Sequence, residues 1–181
     1  QVDAWLKHYF ITELLPVLSP IGLDPAHPFP RLLNKSLNFI VALNGKDAFG
    51  REARLAVVQA PRALPRLIRI PKKVSSGADD FVFLSSVIHA YVDELFPGMA
   101  ASGCYQFRVT RNSDLLVDEQ EAEDLLEELE DSLEQRQWGD TVRLEIAHNC
   151  PVEMQQFLME VLQLSEIDIH RCYGPVNLMR L

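Results

Sequence analysis

The segment from residue 105 to residue 138 constrains the fold most, because a strand pattern changes there into a helix pattern. Polar and apolar side chains alternate over residues 105–111, which predicts a half-buried strand. Residues 112–114 have turn chemistry, and Asp118 and Glu121 have the spacing of a helix N-terminal capping box. An apolar stripe at helical spacing follows, formed by Ala122, Leu125, Leu126, Leu129 and Leu133. The chain therefore combines a sheet with amphipathic helices.

The predicted helix also carries the whole net charge of the chain. Residues 118–136 contain ten acidic residues and one base, Arg136, which gives −9, while the remaining residues contain sixteen acids and sixteen bases. Such a run usually forms a solvated helix face; the alternative is an acidic face that meets a basic surface elsewhere in a larger protein. Arg108 and Arg111 lie just upstream and are suited either to neutralise this helix or to hold an anion.

Length and composition fit one domain. The chain has 181 residues, 48% hydrophobic and 24% charged, which suffices for an ordinary core. No apolar run approaches the roughly 18 residues of a membrane span, and no secretory signal begins the chain. Three cysteines without zinc spacing predict reduced, partly buried thiols. Because the first residue is Gln1 and Leu181 falls inside what reads as a new segment, we expect a fragment of a longer protein.

The remaining patterns predict an α+β fold with a mainly antiparallel sheet covered by helices on one face. Residues 3–18 predict an amphipathic helix that Pro16 ends or kinks, and the four prolines of residues 18–32 predict a stiff, extended linker. Further strands are predicted at residues 37–43, 51–58, 67–70, 80–84, 141–147 and 169–173, and further helices at residues 85–95, capped by Ser85 or Ser86, and 152–162, started by Pro151. We expect residues 1–18 to end or bridge a preceding helical domain, 19–174 to form the α+β domain, and 175–181 to begin a following one.

A second charge concentration lies in residues 51–73. Seven bases stand there against Glu52 alone, which gives +6: Arg51, Arg54, Arg62, Arg66, Arg69, Lys72 and Lys73. Three interpretations stay open: a polyanion-binding surface, a partner for the acidic helix within the chain or across a dimer, and charged protection of a strand edge. Aromatic residues do not interleave with these bases, which argues against binding of single-stranded nucleic acid.

Motifs of self-contained catalysis are missing from the sequence. It contains no GxxxxGK[ST], GxGxxG, HExxH or GxSxG, and its five histidines are scattered without ligand spacing. A lone histidine in a proline-rich stretch, such as His27, is more often structural than catalytic. The carboxylates of the acidic helix would have to be buried to act in general acid–base catalysis. The residues alone predict a soluble α+β module without a complete active site and without a metal site.

Four stretches, in order along nearly the whole chain, resemble the larger, ATP-using type of bacterial polyphosphate kinase. They are LLPVLSPIGLDPAHPFPRLLNKSLNFIVAL, APRALPRLIRIP, FRVTRNSDLLVDEQEAEDLLEELEDSLEQRQWGDTVRLEI and YGPVNLMRL. The resemblance implies an enzyme of about four domains that transfers the terminal phosphoryl group of ATP reversibly to polyphosphate through a phosphohistidine, with magnesium. The fragment matches the end of the N-terminal domain and the head, or middle, domain.

The resemblance also implies the role of the fragment and its partners. The phosphorylated histidine and most phosphate-binding bases lie in domains beyond Leu181, so no catalytic residue is carried over, and the fragment alone is expected to bind no cofactor and to be inactive. Its expected partners are the other domains and a second copy, in the cytoplasm or peripheral at the inner membrane. The candidates for a polyanion-facing surface are Arg108, Arg111, Arg66, Arg69, Lys72 and Lys73. The alternative function is a non-enzymatic interaction module that pairs the acidic helix with the basic segment.

Overall fold

A computed structural model describes residues 1–23, 28–46, 54–75, 77, 79–112 and 139–177. The predicted acidic helix at residues 118–136 lies outside the described residues, as does His27. Predictions about that helix and about its charge partners therefore stay predictions.

The chain opens with the predicted amphipathic helix. Helix α1 spans Val2–Tyr9 and continues directly as a π-helix over Phe10–Leu14, after which the chain turns toward the sheet. The helix ends at Leu14, two residues before Pro16, as predicted. Proline has no N–H that could donate to the preceding helical turn. The side chains of Phe10 and Leu14 are fully buried, so this end of the helix is anchored in the core.

Within the described residues, six strands form the main sheet in the order β1-β3-β2-β6-β7-β8, and β4 and β5 form a separate hairpin. The bounds are β1 Ser19–Leu23, β2 Asn38–Gly45, β3 Leu55–Gln59, β4 Leu67–Arg69, β5 Phe81–Phe83, β6 Met99–Arg111, β7 Thr141–Ala147 and β8 Ile169–Cys172. All neighbouring strands are antiparallel except β7 and β8. The predicted mainly antiparallel α+β fold is confirmed.

Three strands differ from the prediction by more than two residues, one of them β3, which begins at Leu55 rather than at residue 51. Strand β1 lies within the stretch predicted as a proline-rich linker, and it pairs with β3 along its full length, with Pro20 opposite Val58. A proline is compatible with this position because β1 is an edge strand of the described sheet, where one side of the backbone needs no donor. Strand β6 begins at Met99, six residues before the predicted start, because its first half pairs with β2.

The helices after β5 differ from the prediction in two ways: the single helix predicted at residues 85–95 is divided at Tyr91, and its N-cap is another residue. Helix α2 spans Leu84–Ala90 and is followed by a 3₁₀-helix at Val92–Leu95; its N-cap is Phe83, so the predicted serine cap is wrong. Ser85 is buried against the core instead. Helix α3 spans Val152–Leu162 after Pro151, as predicted, and ends at Gln163 in the left-handed conformation.

The sheet has an apolar cluster on each face, so the prediction of cover on one face only is wrong. One cluster joins the N-terminal helix and α2 to residues such as Phe39 and Val41, and the other joins α3 to residues such as Ile40. Neighbouring residues of β2 point to opposite faces, and the strand is buried on both. Each large side chain that is fully buried in this way contributes roughly 1.5–3 kcal/mol to stability. No helix in the described part of the chain has the length and apolarity to span a membrane.

Candidate functional site: two sheet arginines and a basic hairpin

Arg108 lies in the middle of the sheet beside a carboxylate. Strand register places it opposite Glu145 on β7. Its Nε lies 2.5 Å from Glu145 Oε2, and the two side chains are only 10% and 16% exposed. Arg143 approaches the other carboxylate oxygen at 3.4 Å from a more exposed position. A buried pair of this kind is geometrically fixed, and losing one partner leaves a costly unpaired charge.

Arg108 also contacts the segment that follows β8. Its Nη1 donates to Asn177 Oδ1 at 3.2 Å, and Asn177 Nδ2 donates to the carbonyl oxygen of Lys35 at 3.2 Å. Next to it, the backbone N–H of Val176 donates to Gln106 Oε1 at 3.2 Å. The segment after β8 is therefore tied to β6 and to the loop before β2 by side chains.

Arg111 contacts backbone rather than carboxylate. Its Nε donates to the Leu32 carbonyl at 3.0 Å and its Nη1 to the Gly139 carbonyl at 2.8 Å, while its own N–H donates to Asn34 Oδ1 at 3.0 Å. Burial lowers the pKa of the Arg111 guanidinium, and the charge of Arg31 lowers it further, against an opposing effect of Asp140. Arg111 thus braces the loop before β2 against the residues just before β7.

The basic hairpin is the short β4–β5 unit together with Arg66, Lys72 and Lys73. Alternation along β4 buries Ile68 and exposes Arg69, which forms an ion pair with Asp79. Lys72 and Lys73 follow the strand and are exposed, whereas Arg66 before it is half-buried. Within the described ranges, neither lysine has an ion-pair partner. These two lysines are the cations of the hairpin that are available to a ligand.

A cavity of about 210 Å³ lies between α2, the middle of the sheet and the turn after β8. It is lined by polar and aromatic groups, among them Ser85, His89, Gln106, His148 and Tyr173. The rings of His148 and Tyr173 stack with centroids 4.6 Å apart. Burial raises the pKa of the Cys104 thiol, another lining residue, to about 12, so this thiol is protonated and unreactive at neutral pH.

The described residues offer no fit for a metal ion. No group of three or more His, Cys, Asp or Glu side chains in the described part of the chain could hold one. Arg108 donates to Asn177 Oδ1 and pairs with Glu145, and Arg111 donates to two backbone carbonyls, so both side chains contact protein oxygens. We therefore derive no magnesium-dependent step for these residues. All three cysteines are free thiols.

The six predicted site residues divide into two groups. Arg108 and Arg111 lie on β6 with protein partners, and Arg66, Arg69, Lys72 and Lys73 lie on or beside the hairpin. Their predicted role toward a polyanion stays a prediction. The sequence reasoning missed Glu145, Asn177 and Lys35 as partners. The alternating pattern of residues 141–147 predicted the strand. It could not predict the strand register that brings Glu145 opposite Arg108, because register depends on the partner strand.

Three kinds of comparison with known proteins agree. The family described as "Polyphosphate kinase middle domain" matches residues 1–181. The chain is 52% identical over all 181 residues to polyphosphate kinase of Pseudomonas aeruginosa, and 53% identical over 177 residues (98% of the chain) to that of Neisseria gonorrhoeae. In both cases it spans 26% of the relative's length.

A solved structure shares the fold. The crystal structure of polyphosphate kinase from Porphyromonas gingivalis matches 97% of this chain and 24% of its own chain, with a TM-score of 0.73 and 21% identity. At that identity the likeness concerns the fold, whereas the family model and the relatives concern the sequence itself. The chain belongs to the polyphosphate kinase middle domain family.

Proposed function

We propose that this chain is the middle domain of an enzyme that transfers the terminal phosphoryl group of ATP reversibly to polyphosphate. The observation that carries the proposal is 52% identity over the full 181 residues to a polyphosphate kinase. Phosphoryl transfer requires clustered positive charge, and usually a metal ion, around the reacting phosphate. The described residues of this chain present neither a metal-ligand cluster nor a dense group of accessible cations. The chemistry in this proposal, including the use of magnesium, therefore belongs to other domains.

The role proposed for the middle domain is that of a rigid scaffold. Its sheet is packed on both faces, and the arginines of β6, Arg108 buried and Arg111 half-buried, contact strands and loops of the fold. On this basis the isolated chain is inactive, and its partners are the remaining domains of the same enzyme. A homo-oligomer and a cytoplasmic location belong to the same proposal.

Within the scaffold, the basic hairpin is the surface that we propose faces polyphosphate. Lys72 and Lys73 are exposed neighbours, and Arg69 lies beside them on β4. A flexible polyanion is attracted by exposed cations without a fixed geometry, which suits lysine ammonium groups on mobile stems. The proposed surface does not include Arg108 and Arg111, because these arginines lie on β6 of the main sheet and contact protein oxygens.

The test uses the full-length protein that contains this chain. Wild-type protein is incubated with ATP, Mg²⁺ and a polyphosphate primer, and polymer synthesis is compared with that of the double variant Lys72→Ala, Lys73→Ala. We expect the variant to raise KM for polyphosphate about two- to thirtyfold, since each of the two exposed cations contributes ~0.2–1 kcal/mol. KM for ATP and kcat should change little.

The matched control removes two other exposed lysines, Lys7→Ala with Lys46→Ala, and loses the same net charge. Equal KM values in the two double variants would reject the hairpin as the polyphosphate surface. Absence of polymer synthesis by the wild-type protein would reject the enzymatic function itself.

A further inference from the structure

The chain reverses direction after the last strand and returns over the sheet. Tyr173 at the start of this return is exposed, whereas Val176 and Asn177 are only 4% and 8% exposed. Val176 belongs to the apolar cluster that also contains Cys104 of β6. Burial of this kind is unusual for residues that belong to no helix or strand, because loop backbone must then find hydrogen-bond partners inside the protein.

One backbone group of the return segment, the Val176 N–H, finds such a partner, and the side chain of Asn177 makes two further hydrogen bonds. Gln106 Oε1 accepts the Val176 N–H, Arg108 Nη1 donates to Asn177 Oδ1, and Asn177 Nδ2 donates to the Lys35 carbonyl, each at 3.2 Å. Arg108 is itself fixed by Glu145 of β7. The return segment is thus connected to three separate parts of the fold: β6, β7 through Arg108, and the loop before β2.

The backbone at Asn177 requires a particular residue type. Its φ of 65° lies in the left-handed region, which asparagine and glycine adopt far more readily than other residues. Asparagine alone of these two also offers an amide that donates and accepts at once. Asn177 therefore meets both requirements, because its backbone can adopt the left-handed conformation and its side chain can make both hydrogen bonds.

We infer that Arg108, Asn177 and Lys35 form a joint that fixes the direction in which the chain leaves the sheet, with Arg108 and Asn177 as positioning residues for phosphoryl transfer. The second half of this inference rests on the proposed function. In the proposed enzyme, residues after Asn177 lead toward the domains that carry the chemistry. A displacement of about 1 Å between reacting groups can cost on the order of a hundredfold in rate, so a fixed exit has catalytic value without touching substrate.

The experiment uses the full-length protein with three variants. Asn177→Gly keeps the left-handed backbone accessible and removes both amide bonds. Asn177→Asp keeps the oxygen that accepts from Arg108 but loses the donor to Lys35. Gln106→Ala removes the acceptor for Val176 N–H and leaves Asn177 intact. The rate of hydrogen exchange in the peptide 173–181 measures how firmly the joint is held, and the peptide 141–147 serves as an internal reference. The values of kcat and KM for ATP measure whether the reacting groups are correctly positioned.

We expect Asn177→Gly to accelerate exchange of peptide 173–181 at least tenfold, with the reference peptide unchanged. We expect it to lower kcat about tenfold, a misplacement effect, while KM for ATP stays within about twofold. Asn177→Asp should recover most of the lost kcat, because the bond to Arg108 remains. Gln106→Ala should show a smaller change in the same direction, and it decides the question if the glycine variant does not fold.

Wild-type kcat in both Asn177→Gly and Gln106→Ala, despite faster exchange, would overturn the positioning role. Wild-type exchange in both variants would overturn the joint itself. These outcomes differ from failure of the proposed function, in which even the wild-type protein makes no polyphosphate while the exchange measurement still reports the joint.

Discussion

The arginines of β6 and the lysines of the basic hairpin carry the same charge but occupy opposite environments. Arg108 and Arg111 are held by a carboxylate, an amide and backbone carbonyls inside the fold, whereas Lys72 and Lys73 extend from an exposed hairpin. This difference shows that the positively charged side chains of this domain have two distinct roles. Buried or half-buried cations maintain the arrangement of strands and loops, and exposed cations are available to a partner.

The sharpest test of this comparison is Arg108→Ala. The substitution removes the nearer partner of the Glu145 carboxylate, which is only 16% exposed, and leaves it the more distant Arg143 at 3.4 Å. We expect the free energy of unfolding to fall by about 3–5 kcal/mol, the usual cost of breaking a buried ion pair. Urea denaturation of the 181-residue chain measures this loss.

Two controls accompany Arg108→Ala. Lys72→Ala and Lys73→Ala should each change the free energy of unfolding by less than about 0.5 kcal/mol, as expected for exposed sites. The double variant Arg108→Met, Glu145→Leu removes both charges and should recover at least half of the loss. A destabilisation by Lys72→Ala as large as that by Arg108→Ala would end the distinction between the two groups of cations.

A second test asks whether charge or hydrogen-bond geometry matters at Arg111. Lysine keeps the charge but lacks the planar group that reaches the Leu32 and Gly139 carbonyls together. We expect Arg111→Lys to lower the free energy of unfolding by about 1–3 kcal/mol, the cost of leaving buried polar groups without partners. The same substitution at exposed Arg69, which pairs with Asp79, should cost under about 1 kcal/mol. Equal losses at both positions would mean that Arg111 acts through charge alone.

The fold class could be predicted because its evidence is local. Alternation over residues 141–147 and helical spacing over 152–162 mark β7 and α3 with the observed bounds. Each pattern records which face of one element is buried, and this needs no knowledge of distant residues. The prediction of a proline-rich linker was wrong at Pro20 because the outcome there depends on distant residues. Whether a proline-containing strand joins a sheet depends on having an edge position, which is a property of the whole sheet.

The site could be predicted only as a list of residue types. Arg108 and Arg111 were identified, but their environments follow from contacts across 37 to 79 positions of sequence: Glu145, Asn177 and Leu32. Strand register decides the first contact and the return of the chain after β8 decides the second. Neither is encoded in the charge of an arginine, so sequence reasoning could not tell an anion-binding arginine from a structural one.

A third test concerns a polar contact of intermediate exposure, where we expect a smaller loss of stability than at Arg108 or Arg111. Tyr91 Oη donates to Asp3 Oδ1 at 2.7 Å and lies 3.1 Å from the Asp3 carbonyl oxygen, connecting α1 to the start of the 3₁₀-helix. The Tyr91 ring packs against Phe10 with centroids 5.6 Å apart. Tyr91→Phe keeps the ring and removes only the hydroxyl, so we expect a loss of about 1 kcal/mol at neutral pH by urea denaturation.

The pH dependence separates this hydroxyl from other groups. Burial, followed by the bond to Asp3 and its charge, raises the pKa of Tyr91 to about 12 from the ordinary 10.0. Folding therefore favours the neutral phenol, and its contribution is complete below pH 10 and is lost as the pH rises from 10 toward 12. The buried thiols Cys104 and Cys150, with pKa values of about 12, also lose stability in alkali, but equally in both proteins. The difference between wild type and Tyr91→Phe should thus be constant up to pH 10 and shrink above it; a difference that grows with alkali would show that the hydroxyl does not donate to Asp3.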